Sequence, residues 1–172
     1  MNRRILLMGR SGCGKTSLIL RIHEKTQSAA PHSEVLKSKK EQKQPCLAGA
    51  SDMQTANKTQ AAEYHNDFID VPGEYLEVRS LYRALIMLTC ESCAIALVQA
   101  ADDDESLFPT GLARTFDKPV VGVVTKTDVM SSDPGRAEAI LLDAGAKTVF
   151  HTSALETTGI DGLIRHLEAL RP

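Results

Sequence analysis

Ile5-Leu6-Leu7-Met8-Gly9-Arg10-Ser11-Gly12-Cys13-Gly14-Lys15-Thr16 decides the reading of this chain. An apolar run fit for a buried strand feeds into a G-x-x-x-x-G-K-[ST] loop with every fixed position filled, and a helical pattern from Ser17 to Lys25 follows. Glycines let the backbone curl so that successive N–H groups point at phosphate oxygens, and the helix turns its positive N-terminal end toward the same charge. Lys15 adds a mobile cation for the outer phosphates. Thr16 offers a hydroxyl where a phosphate-bound Mg²⁺ sits, because Mg²⁺ takes few protein ligands beside phosphate oxygens. A strand before such a loop and a helix after it separate a phosphate cradle from a chance match, so the chain is expected to bind a nucleoside triphosphate.

The 172 residues, 42% hydrophobic and 24% charged, suit one globular domain with a proper core. Twenty basic against 22 acidic residues give a net charge of −2, so no global field draws the chain to nucleic acid or an anionic membrane. The first strand begins almost at once, and no apolar run approaches the roughly 18 residues that span a bilayer, so a cytoplasmic location is expected. Four cysteines, at 13, 46, 90 and 93, are too unevenly placed for a disulfide framework. Cys90-x-x-Cys93 has no second pair or accompanying paired histidines, which favours ordinary buried thiols over a zinc or redox site. Cys13 lies inside the loop, where a thiol beside a helix N-terminus can be acidified and become oxidisable.

Arg3 to Met8 reads as a strand and Lys15 to Thr26 as a helix. Residues 27–57 are rich in Ser, Ala, Gln and Lys, include Pro31 and Pro45, and carry few apolar anchors; this composition favours mobility. Lys37, Lys39, Lys40 and Lys43 read as a solvated face, or as a surface for an acidic partner. Beyond it, Ala61–Tyr64 and Phe68–Val71 resemble two short strands joined by His65-Asn66-Asp67. Glu77–Leu88 reads as a helix, Ala94–Val98 as an apolar strand, Leu112–Phe116 as a short helix and Val120–Val124 as another apolar strand. Ala137–Ala144 is helical, Thr148–His151 a short strand and Ile160–Leu170 an amphipathic terminal helix. Alternating helices and fully apolar strands imply an α/β fold, its mostly parallel sheet covered on both faces.

Ligands of open parallel sheets bind beyond the carboxyl ends of the strands, and polar signals fall there. Asp70-Val71-Pro72-Gly73 supplies a carboxylate that can hold a Mg²⁺-bound water and a glycine N–H that can approach a γ-phosphate, although alone it reads as a turn. Thr125-Lys126-Thr127-Asp128 follows the strand Val120–Val124. A fixed carboxylate there accepts two parallel hydrogen bonds from guanine N1–H and the N2 amino group, donors that adenine lacks, which selects GTP over ATP. A capping role for Asp128 is the plainer alternative. Ser153-Ala154-Leu155 follows the last strand, where small residues let backbone amides approach a base edge. Asp102-Asp103-Asp104-Glu105 reads as a solvated loop in preference to a partner patch.

In this order, Gly9 to Thr16, Asp70 to Gly73, Thr125 to Asp128 and Ser153 to Leu155 resemble the successive nucleotide motifs of the translation-factor-like and Ras-like GTPases. The phrases Lys58-Thr59-Gln60-Ala61-Ala62-Glu63-Tyr64, Ile69-Asp70-Val71-Pro72-Gly73-Glu74-Tyr75-Leu76-Glu77, Ala96-Leu97-Val98-Gln99, Leu107-Phe108-Pro109 and Lys118-Pro119-Val120-Val121-Gly122 are similar to those of the EutP/PduV family. That resemblance covers nearly the whole chain outside 27–57. It implies a P-loop NTPase fold with a Ras-like GTPase sheet, mostly parallel with one antiparallel edge strand, and a single GTPase domain over 1–172 with 27–57 inserted in the switch-one region. It also implies work beside bacterial microcompartments in ethanolamine or propanediol utilisation, where members are described as small GTPases and as acetate kinases.

Carried over by resemblance, Lys15 is the β/γ-phosphate lysine, Thr16 the first Mg²⁺ ligand, Asp70 the carboxylate on the Mg²⁺ shell and Thr59 the switch-one threonine that closes over Mg²⁺. Gly73 senses the γ-phosphate. The loop residues Gly9, Arg10, Ser11, Gly12, Cys13 and Gly14, with Ser17, line the phosphates. Thr125, Lys126, Asp128, Ser153, Ala154 and Leu155 hold GTP or GDP at the base. Two departures stand out. Thr125 replaces the commoner Asn, whose bracing role a hydroxyl can serve. Glu74 follows Gly73 where Ras-like enzymes carry the glutamine that orients water; a carboxylate beside a triphosphate is repelled or must take up a proton, so slow hydrolysis is expected. Acetate phosphotransfer, with Arg10, Arg79 and Arg83 as carboxylate-binding candidates, is the first alternative. A nucleotide-dependent adaptor for a shell or cytoskeletal partner, reached through 27–57, is the second.

Overall fold

A computed structural model describes residues 3–28, 61–65 and 67–172. The chain runs β1 (Arg4–Met8), α1 (Lys15–Ser28), β2 (Glu63–His65), β3 (Phe68–Asp70), α2 (Glu74–Glu77), a 3-10 turn at Arg79–Leu81 and α3 (Tyr82–Cys90). It continues through β4 (Ser92–Ala100), a 3-10 turn at Leu112–Thr115, β5 (Val120–Thr125), α4 (Pro134–Asp143), β6 (Val149–His151) and α5 (Ile160–Ala169). The six strands lie in the order β2-β3-β1-β4-β5-β6. Among the described residues, only the edge pair β2–β3 is antiparallel; every other pairing is parallel.

Side-chain alternation along buried strands explains why helices cover both faces. Leu6 and Met8 of β1 join Leu76, Leu85 of α3 and Leu141 of α4 in one core. Ile5 and Leu7 join Leu18 and Ile19 of α1 with Ile160, Leu163 and Leu167 of α5 in the other. The connection leaving β1 runs through α1 to the β2–β3 side, whereas that leaving β4 runs to β5, so the two diverge at the carboxyl ends of β1 and β4. That divergence is the crevice in which open α/β sheets bind ligands, and the Gly9–Thr16 loop lies there.

The helix expected over Glu77–Leu88 is instead divided. Val78 is extended, with φ −103° and ψ 112°, while its N–H closes α2 on the carbonyl of Glu74. This break sends Leu76 and Leu85 into the same core, whereas half-exposed Val78 adopts the extended conformation that β-branching favours. Strand β4 outruns Ala94–Val98 at both ends. Ser92 is buried because its hydroxyl donates to the Thr89 carbonyl at 2.9 Å, and Gln99 is buried through its own amide contacts. Helix α4 starts earlier than Ala137: the Asp133 carboxylate accepts from the Arg136 N–H at 3.0 Å, and Pro134 fills the first turn. The segment expected at Leu112–Phe116 is a 3-10 turn. Most of 27–57, the His65-Asn66-Asp67 turn at Asn66, and Cys46 lie outside the described residues. Among the described residues, no helix is long and apolar enough to cross a membrane.

Leu141 is fully buried between α4 and the sheet. Leu141→Ala is expected to destabilise the fold by about 2–5 kcal/mol through lost transfer energy and the cavity left behind, measured by chemical denaturation.

Candidate nucleotide-binding site

The Gly9–Thr16 loop curls because Gly12 and Gly14 take φ of +78° and +89°, a region that L side chains rarely adopt. The Cys13 N–H returns to the Arg10 carbonyl at 3.3 Å, and α1 opens with the Leu18 N–H on the Gly14 carbonyl at 2.9 Å. Lys15 is only 7% exposed. Its ammonium donates to the carbonyls of Gly9 at 2.8 Å and Arg10 at 2.9 Å, and no carboxylate pairs with it among the described residues. With a longer contact to Cys13 Sγ at 3.9 Å, the buried cation meets only neutral groups and retains an uncompensated charge, which an anion in the adjoining cleft would neutralise.

That cleft, of about 430 Å³, is lined by Gly12, Gly14, Lys15 and Thr16 on one side and by Asp70, Pro72 and Gly73 on the other. The Thr16 hydroxyl donates to Asp70 Oδ2 at 2.7 Å, which joins the end of β3 to the start of α1. Hydroxyl and carboxylate oxygens are the hard donors that Mg²⁺ takes beside phosphate, so the residues present fit the ion. Gly73 rests on the loop itself: a Cβ there would lie 2.5 Å from the Ser11 nitrogen and 3.0 Å from the Arg10 carbonyl carbon. Glu74, the first residue of α2, is exposed.

A second pocket, about 460 Å³, opens on the other side of the loop between Leu20 and Arg21 of α1 and the segment Thr125–Val129, with Ala154 and Leu155 along its wall. Asp128 stands at this pocket, and Oδ1 of its carboxylate accepts from the Ser153 hydroxyl at 2.5 Å. Ser153 is fully buried and in turn accepts from the Glu156 N–H at 3.0 Å, so both ends of this hydroxyl are fixed. The Thr125 hydroxyl donates to the Cys13 carbonyl at 2.6 Å and thereby ties the end of β5 to the phosphate loop. Arg21 Nε donates to the Ala154 carbonyl at 2.8 Å, fixing the wall of the pocket to α1.

The fold therefore brings the loop residues, Asp70, Gly73, Thr125, Lys126, Asp128 and Ser153–Leu155 to the carboxyl ends of the parallel strands. Thr59 lies outside the described residues. Expectations change at the cysteines. Cys13 is buried, and loss of hydration pushes its thiol pKa up despite the opposing Lys15 charge, so it is not acidified by the helix. The acidic stretch 102–105 is exposed to solvent as expected, with Asp103 half-buried, and it also carries ion pairs that the sequence does not reveal: Asp102 meets Lys126, Asp103 and Glu105 meet Arg10, and Asp104 meets Arg136. Sequence reading also misses Gln99 and Arg21. A lone amide closing the apolar run Ala94–Val98 is the signal that marks Gln99, while nothing local marks Arg21. Cys90 is exposed and Cys93 half-buried, so the pair is not the two buried thiols expected: Cys90 ends α3 on the surface, where its thiol donates to the Ile86 carbonyl at 3.7 Å.

Sheet order, loop and cradle together define a P-loop nucleotide-binding protein with a GTPase-like fold. The family model for ethanolamine utilisation and propanediol utilisation proteins, PduV-EutP, matches residues 47–169. The propanediol utilization protein PduV of Citrobacter freundii is 41% identical over 170 residues, covering 97% of this chain and 94% of that protein. The probable acetate kinase EutP of Escherichia coli K12 is 31% identical over 118 residues, covering 67% and 74%. This chain belongs to the EutP/PduV family of ethanolamine and propanediol utilisation. The apo structure of translation elongation factor SelB from Methanococcus maripaludis matches 99% of the chain with a TM-score of 0.54 and 16% identity. The chain spans 33% of that structure's length, and the likeness is one of fold.

Thr125→Val keeps the volume of the side chain and removes its bond to the buried loop. It is expected to cost about 1–3 kcal/mol of stability, because the Cys13 carbonyl loses its partner; comparison of denaturation midpoints checks this.

Proposed function

We propose that this chain is a Mg²⁺-dependent GTP-binding protein of one GTPase domain that hydrolyses GTP slowly and serves microcompartment-linked ethanolamine or propanediol metabolism in the cytoplasm. The observation that carries guanine selection is the Asp128 carboxylate, held by a buried Ser153 hydroxyl at the mouth of a partly apolar pocket. A carboxylate fixed in this way pairs with N1–H and the N2 amino group of guanine, whereas adenine would leave it desolvated without donors. The stem of Lys126 packs beside the base, and the backbone at Ala154 and Leu155 faces its edge.

On the phosphate side, Lys15 leaves the loop carbonyls for the β- and γ-oxygens, and the curled amides of Arg10 to Gly14 surround them. A bound Mg²⁺ would supply neutralisation of the phosphate charge. Thr16 would hold it directly, with Asp70 bonded to its shell and Thr59 closing over it. Gly73 must move off Ser11 to make room for a γ-phosphate, and its N–H then reads that group, the order-on-triphosphate behaviour of switch segments. Glu74 supports slow turnover, since a carboxylate at that point repels the triphosphate and cannot both donate to and orient water as an amide does.

Acetate phosphotransfer is the second reading, favoured by the name of the 31% identical relative. It needs a cation for the acetate carboxylate. Arg10 is instead engaged with Asp103 and Glu105, and Arg83 is exposed on α3. A nucleotide-dependent adaptor for shell or cytoskeletal proteins is the outcome left if binding occurs without any turnover.

Competition binding of GTP against ATP with Mg²⁺ is the direct test: the wild type is expected to prefer GTP by about 10³-fold or more, and Asp128→Asn to lose most of that preference. Equal affinities in the wild type overturn the assignment. Single-turnover hydrolysis is expected at about 10⁻⁴ to 10⁻² s⁻¹, with Lys15→Ala inactive. Rates well above that range, or acetyl phosphate formation by the wild type but not by Lys15→Ala, would replace this reading.

A further inference from the structure

Asp102-Asp103-Asp104-Glu105 leaves the end of β4 as four successive carboxylates, and each meets a cation. Arg10 NH1 lies 3.0 Å from Asp103 Oδ1, 3.2 Å from Asp103 Oδ2 and 2.9 Å from Glu105 Oε2. Lys126 Nζ donates to Asp102 Oδ2 at 3.0 Å. These two cations belong to different halves of the nucleotide site: Arg10 to the phosphate loop and Lys126 to the segment that carries Asp128. Neither Asp102 nor Asp103 lines the phosphate cleft or the base pocket.

The acidic segment is braced from beneath. Gln99, buried at the end of β4, donates its amide to the carbonyls of Asp103 at 3.4 Å and Glu105 at 3.2 Å. The Glu105 N–H donates to Asp103 Oδ1 at 3.1 Å, and the Asp133 N–H reaches the Ala101 carbonyl at 2.8 Å. The carboxylates are thus presented by a fixed backbone. Lys126 sits at φ +57°, unusual for a side-chain-bearing residue, so its conformation depends on what surrounds it. The charge of Asp103, then that of Glu105, raises the already high pKa of the Arg10 guanidinium.

We propose that 102–105 is a positioning element that clamps the phosphate loop to the base loop, Asp103 and Glu105 acting through Arg10 and Asp102 acting through Lys126. Nucleotide residence and guanine preference are then set together by one segment outside both pockets. This rests on the GTP-binding reading above. It makes Asp102, Asp103 and Glu105 positioning residues for nucleotide binding and leaves the chemistry to the loop and Asp70.

The test uses the full chain and release of a fluorescent GDP analogue, with GTP/ATP competition alongside. Asp103→Asn/Glu105→Gln and Asp102→Asn are each expected to speed release about two- to five-fold, the range open to partly exposed ion pairs. Asp102→Asn should also reduce the preference for GTP. Combined, the changes should fall short of the product of their separate effects, because either one already uncouples the loops. Asp103→Glu, which keeps the charge, should restore slow release. Raising salt should speed release from the wild type and change the combined variant little. Asp117→Asn, an exposed acid before β5 at the other end of the sheet, controls for net charge and should release as the wild type does. Unchanged release, fully multiplicative effects, an equal effect of Asp117→Asn, or lost folding stability with wild-type release each overturns the clamp. If the wild type shows no preference for GTP, the parent reading fails instead, and the same release measurement on the nucleotide that does bind still decides the clamp.

Discussion

The ammonium of Lys15, nearly buried and held by two main-chain carbonyls, is the constraint on which the rest of the site depends. A cation so placed must be surrounded by backbone dipoles or by an anion, since solvent does not reach it freely. Backbone dipoles can converge on one point only if the chain curls tightly, and the positive φ of Gly12 and Gly14 makes that curl. The curl must also begin and end on rigid elements. Strand β1, central in the sheet and flanked by β3 and β4, supplies one, and α1 supplies the other. The six-stranded sheet can therefore be read as the mounting for a single buried charge.

Other strand ends then gain their meaning from distance to that charge. Asp70 reaches Thr16 because β3 pairs with β1 in parallel register, Leu7 opposite Asp70. Thr125 reaches the Cys13 carbonyl because β5 lies two strands from β1 and ends beyond it. Ser153 reaches Asp128 because β6 pairs with β5 and leaves the sheet beside the Asp128 segment. In each case a side chain of ordinary type acquires a specific partner through strand order alone.

This explains what was legible in the sequence and what was not. The strand–loop–helix of Ile5 to Lys25 is local: apolar run, glycine spacing and helix pattern all lie within one window, and they identify the cradle. Thr125 and Asp128 are legible because they follow a strand whose apolar run is plain. By contrast, the break at Val78 depends on where Leu76 and Leu85 must go in the core, which no window around Val78 contains. The pairing of Asp103 with Arg10 spans 93 positions, so the ion pairs of the exposed stretch 102–105 stay hidden until the sheet brings β4 beside β1. Burial of Cys13 has the same origin: a helix N-terminus acidifies a thiol that water can reach, and the core formed with Ile5, Leu7 and Val98 removes the water.

Ion pairs at partly exposed positions contribute little each, about 0–1 kcal/mol, so the four cation contacts of 102–105 are a poor account of why the protein is folded. Their weakness suits a different task. A nucleotide site must hold its ligand and also release it, and a strong buried link between phosphate and base loops would resist the motion that release requires. Weak links in water, anchored on the rigid backbone that Gln99 fixes, give geometry without locking it. The strong restraints, Thr125 on the Cys13 carbonyl and Thr16 on Asp70, stay at the ends of strands that need not move. Burial thus sorts the contacts by role: inner hydroxyls define where the loops attach, and outer charges decide how closely the two loops are held together.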